Sequence, residues 1–137
     1  MIKSICATFV TVGLGVFLSL APASAHHSFA AEFDQEKPIS ITGVLSRVDW
    51  VNPHIFLSVD VKDQNGQTIT WSFESLPPSW FHRMGLERSM FPVGQTITVI
   101  GYGAKESGKN LGWIKKILLP DGKVMQITAN NPNENAK

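Results

Sequence analysis

The chain has 137 residues, 43% of them hydrophobic, with 12 Lys and Arg against 11 Asp and Glu and a formal net charge of +1. That length fills one domain's core. The near-balance of charge gives no basic surplus to neutralise phosphates, so a DNA or RNA partner is not expected.

Lys3 is the single charge ahead of an apolar run from Ile5 to Leu20, and Ala21-Pro22-Ala23-Ser24-Ala25 follows with the small residues a signal peptidase accepts. Residues 1–25 are therefore predicted to be a secretory signal cut after Ala25, with a cut after Ala23 as the alternative. The flanks suit removal rather than retention as an anchor, so no membrane span is expected in the mature chain. Removal takes Lys3 with it and leaves basic and acidic residues equal in number. Cys6, the one cysteine, is lost too, and it lacks the upstream small residues of a lipid-attachment site. A domain without disulfides is expected in a bacterial periplasm or outside the cell, held together by its core alone.

His26 to Pro38 is mixed and aperiodic and reads as an arm on the surface, pinned by Phe29 and Phe33. Residues 39–128 read as the folded domain and 129–137 as a polar, disordered tail. Ile39 and Ile41 share one strand face, whereas Val44, Val48 and Trp50 take the opposite parity, which predicts a β-bulge at Gly43. After an Asn52-Pro53 turn, Ile55, Leu57, Val59 and Val61 alternate with Phe56, Ser58, Asp60 and Lys62 as a half-buried strand. Asp63-Gln64-Asn65-Gly66 is expected to supply the positive backbone angles of a hairpin into Ile69, Trp71 and Phe73. Trp80, Phe81 and Met84 then fall at helical spacing, with proline before them and Gly85 behind. Strands are predicted over Thr96 to Tyr102, with Ile97 and Val99 inward, over Leu111 to Leu119, and briefly over Val124 to Thr128. This order predicts an all-β domain with one short helix, a five- to six-stranded Greek-key barrel resembling an OB-fold.

His26-His27-Ser28-Phe29, Phe33-Asp34, Gly43, Trp50 with Asn52-Pro53-His54, Trp71, Gly94, Gly101 and Leu119-Pro120-Asp121-Gly122 together resemble a family of small exported bacterial proteins known only as a domain of unknown function. The resemblance spans nearly the whole mature chain and implies an exported OB-like barrel, with no activity attached. One departure is Leu86, where the family is expected to carry tryptophan, which bears on how the helix end packs.

The chemistry rests on four histidines, His26, His27, His54 and His82. A cut after Ala25 gives His26 the free amine, so amine and imidazole can chelate one ion, with His27 offering a second mode through the intervening amide. A cut after Ala23 would place His26 third from the amine, again a copper-chelating arrangement. Such nitrogen donors suit Cu2+, which also heads the affinity order. Residues 26–38 span at most roughly 43 Å, enough for the arm to bring His26 and His27 back to His54.

Each residue also has a plainer reading. His54 after Asn-Pro can hold the turn through its ring, the commoner role for a lone histidine. His82 reads as a surface or capping residue, and the four tryptophans as core or barrel-end packing. Asp49 and Asp60 near His54 can orient an imidazole but also read as ordinary strand decoration. Three functions follow. The first is a non-catalytic periplasmic copper-binding protein using His26, His27 and His54. The second is a metal-free module binding a small ligand or protein on the face around Phe56 and Tyr102. The third is a copper-dependent enzyme, for which no nucleophile motif, phosphate loop or zinc spacing is present.

Overall fold

A computed structural model describes residues 29–127. The predicted signal, His26, His27 and the C-terminal tail lie outside the described residues. The elements are α1 (Phe29–Glu32), β1 (Phe33–Asp49), β2 (Phe56–Lys62), β3 (Thr68–Glu74), α2 (Pro78–Arg83), a 3-10 turn (Arg88–Met90), β4 (Thr96–Ala104), β5 (Leu111–Leu118) and β6 (Val124–Gln126). The strands run β3-β2-β1-β4-β5-β6 by pairing, and a parallel contact of β3 with β5 closes five of them into a ring. The protein is all-β with only short helices, and α2 sits between β3 and β4 as the sequence predicts.

Alternation builds the ring's interior. Leu57, Val59, Phe73, Val99 and Ile117 are fully buried, and Leu45, Ile55, Ile97 and Ile114 join them. Phe73 lies at the closure, paired to Leu57 on one side and Gly112 on the other. Phe73→Ala is therefore expected to cost roughly 3–5 kcal/mol in urea unfolding, the range for a large aromatic lost from a core. A loss under about 1 kcal/mol would mean that the closure is not packed as described.

Two expectations about β1 need correction. The segment expected as an irregular arm forms α1 and the start of β1, because Phe33 pairs with Ala104 and Pro38 with Tyr102. Its polar run Asp34 to Lys37 falls in the register shift between those pairs, which hid the strand from a periodicity reading. The bulge predicted at Gly43 lies instead between Leu45 and Arg47. Ile39, Ile41, Gly43 and Leu45 keep one parity, so Val44 is exposed, and inward parity resumes at Val48 after the bulge. Gly43 serves close approach: a Cβ there would lie 2.4 Å from the Asp60 carbonyl oxygen.

At the β2–β3 hairpin only Gly66 takes a positive φ, 78°. Asp63 does the rest, its Oδ1 accepting from the Asn65 and Gln67 N–H groups at 2.8 Å each. Gly85 (φ 71°) ends α2, and the Leu86 N–H returns to the Phe81 carbonyl at 2.9 Å. Leu86 packs against the core from there, so the helix end closes without tryptophan.

Candidate functional site

His54 follows a cis Asn52–Pro53 peptide and directly precedes the buried Ile55. Its partner is fixed by strand register. The hairpin pairs Lys62 with Thr68, and the same ladder carries Phe56 opposite Glu74, leaving His54 just beyond the end of β2 beside that carboxylate. The His54 Nδ1–H donates to Glu74 Oε1. A carboxylate only accepts, so in the neutral ring the proton sits on Nδ1 and Nε2 keeps its lone pair. Both side chains are largely shielded, 26% exposed for His54 and 12% for Glu74. A carboxylate holding one imidazole nitrogen while the other stays open is the arrangement that orients metal-ligating histidines.

Trp113 also meets His54, its ring 6.0 Å away and nearly perpendicular. It pairs with Glu74 across β3–β5 and with Tyr102 across β5–β4. Side chains of one register row share a face, so Phe56, Glu74, Trp113 and Tyr102 form a band across the outside of the ring. Trp113 is nonetheless only 9% exposed. Its cover is the beginning of the described chain: the rings of Phe29 and Phe33 lie 5.3 and 5.7 Å from it, and Phe29 also meets Tyr102 at 6.0 Å. Phe29 and Phe33 thus pin the N-terminal segment as expected, and they pin it to the ring that also touches His54.

The other sequence candidates separate. Phe56 and Tyr102 share the outer face, but Glu74 and Trp113 stand between them in the row. Phe56 is half-buried, whereas Tyr102 packs against Phe29 and carries the Lys115 ammonium 5.9 Å over its ring. His82 is exposed on α2 and meets Trp50 in a different aromatic group, with Phe81 and Phe91. Trp80, expected in the packing, is 41% exposed and lies under the Arg83 guanidinium instead. Asp49 accepts from Arg47 and Asp60 from Thr70. Glu74 is the residue the motif reading missed; extending the hairpin register back from Lys62 and Thr68 was the signal that could have found it.

Among the described residues no group of three or more His, Cys, Asp or Glu side chains is placed to hold a metal ion. The His54–Glu74 pair by itself is not such a group. No helix among the described residues is long and apolar enough to cross a membrane.

The sequence profile of a family of unknown function, DUF6152, matches residues 16–115, and the chain belongs to that family. No curated protein and no solved structure matches the chain.

Proposed function

We propose that this family member is an exported periplasmic binding protein, not an enzyme, that holds one Cu2+ ion between the mature N-terminus and His54. The observation that carries the reading is the His54–Glu74 hydrogen bond with Nε2 left open, beside the aromatic group that anchors the N-terminal segment. His27 is two residues before Phe29 and His26 three. Three residues reach at most roughly 10 Å, and the Phe29, Trp113 and His54 rings are in successive contact. The terminal amine and the rings of His26 and His27 would supply nitrogen donors beside His54 Nε2, a set that favours Cu2+ over hard cations.

The test is calorimetric titration of Cu2+ into processed protein beginning at His26, compared with protein carrying one extra residue before it and with His54→Ala. His54→Ala is expected to weaken the tight equivalent, whereas the extra residue places His27 third from the amine and should move the ion to a terminal chelate that no longer depends on His54; binding equal in the wild type and His54→Ala would reject the site. Because bound Cu2+ would lie close to Trp113, the tryptophan emission should fall on titration, and Trp113→Phe should lose most of that fall. Full quenching in Trp113→Phe would place the ion elsewhere. Affinity should also decline on acidification, since protons compete for the imidazole and amine nitrogens.

A second reading has support in the outer-face band, where Phe56 is half-buried beside Glu74. A metal-free module binding a small ligand or protein there would be impaired by Phe56→Ala and indifferent to an added N-terminal residue. The copper reading expects the reverse.

A further inference from the structure

Strand β3 is paired along its whole length on one side and only at its end on the other. Against β2 the ladder runs from Thr68 to Glu74, whereas β5 meets only Ser72, Phe73 and Glu74. Thr68 to Trp71 therefore form an open edge among the described residues. Alternation of hydrogen-bonding direction in antiparallel strands sets where their backbone groups aim. The Ser72 N–H donates away from β2, to the Asn110 carbonyl at 2.9 Å. Thr70 and Thr68 share its parity and aim their N–H and C=O groups out of the sheet, where no backbone partner among the described residues meets them. Native edges are commonly guarded by lysine, proline or a bulge. Thr68-Ile69-Thr70-Trp71 carries none of these.

We infer that this edge pairs with the same edge of a second copy, antiparallel about Ile69. The stretch is self-complementary in four respects. Thr68 stands opposite the partner's Thr70, so the outward backbone groups of each satisfy the other. Their hydroxyls come together on the exposed face as a cross-strand threonine pair, like Thr42 and Thr98, which bond at 2.8 Å within this sheet. On the opposite face Ile69 meets the partner's Ile69, flanked by the half-buried Trp71 of each copy.

Charge is the fourth. Lys62 Nζ donates to Thr68 Oγ1 at 2.6 Å, and Thr70 Oγ1 donates to Asp60 at 2.7 Å. Across the dyad, each row therefore runs from Lys62 in one copy to Asp60 in the other, with opposite charges at its ends. The free length fits as well. Trp71 pairs with the partner's Gln67, and the seam stops short of Ser72, which Asn110 already occupies, while Gly66 at φ 78° turns the hairpin aside. Such a two-fold, self-matching contact is the usual geometry of a homodimer.

Sedimentation velocity across a concentration series tests this on the processed protein and on Thr70→Pro. Proline there removes an outward N–H and the exposed side-chain bond to Asp60 but no backbone bond to β2, so the fold should persist, checked by thermal melting. A reversible monomer–dimer equilibrium is expected, weakened at least about tenfold in Thr70→Pro. Amide exchange at Thr68 and Thr70 gives a readout without mutation, and it should slow as concentration rises. A monomer at every concentration, or a dimer that Thr70→Pro leaves unchanged, would overturn the inference. So would amides already protected in the dilute monomer, since residues outside 29–127 would then cover the edge.

Discussion

Gly101→Ala is expected to destabilise the protein severely. A Cβ at that position would lie 1.8 Å from the Trp113 carbonyl oxygen and 2.9 Å from its carbon, with the Ile114 Cα at 3.3 Å. These are backbone atoms of the paired strand, so no side-chain rotation can relieve the overlap. Gly101 sits at the register shift between Ile100 and Gly101, where β4 presses closest against β5. The cost should exceed roughly 3 kcal/mol, the upper part of the range for overpacking. That is a large fraction of the roughly 5–15 kcal/mol that stabilises a typical domain. Circular dichroism on heating should show the midpoint lowered by at least about 12 °C, or no cooperative transition. A melt like that of the wild type would show that β4 and β5 do not approach as described.

Glu74→Gln is expected to lower Cu2+ affinity about 10- to 100-fold while the fold persists. The carboxylate holds the proton on His54 Nδ1 and so leaves the lone pair on Nε2, and a neutral amide does this less firmly. His54→Ala should lose more, because it removes the donor itself. Calorimetry with both variants checks the order, and a melting midpoint near that of the wild type confirms that Glu74→Gln remains folded. Unchanged copper affinity in Glu74→Gln would reduce the hydrogen bond to a support for the turn. Phe56→Ala should leave copper binding intact, which separates the metal reading from a ligand on the outer face.

Much of the ring was legible from residue order. Ile55 to Lys62 and Ile69 to Phe73 alternate cleanly, and both Pro78 and Gly85 bound α2 as their chemistry requires. Local pattern failed where pairing, not composition, makes the strand. Asp34 to Pro38 reads as loop because its side chains are polar, yet β4 holds both ends of it. Gly43 was read as the bulge because glycine commonly marks one, whereas its missing side chain admits the Asp60 carbonyl and the extra residue falls after Leu45.

The site divides in the same way. His54 stood out as a histidine after an Asn-Pro turn, but its partner Glu74 is 20 residues away and emerges only through the hairpin register. The two aspartates nearest in sequence were already committed to Arg47 and Thr70. Trp113 read as packing, and it is packing, but on the outer face, where it touches both His54 and the anchored start of the described chain.

Pulsed electron paramagnetic resonance on processed protein loaded with one equivalent of Cu2+ tests the central claim most directly. The remote nitrogen of a bound imidazole gives a characteristic modulation. With Nε2 of His54 on the ion, part of that modulation comes from Nδ1, the nitrogen that Glu74 holds. The account predicts a nitrogen-rich spectrum with imidazole modulation that weakens in His54→Ala and changes again when one residue precedes His26. A spectrum identical in the wild type and His54→Ala would place the ion on the terminal histidines alone and contradict a copper site shared with the folded ring.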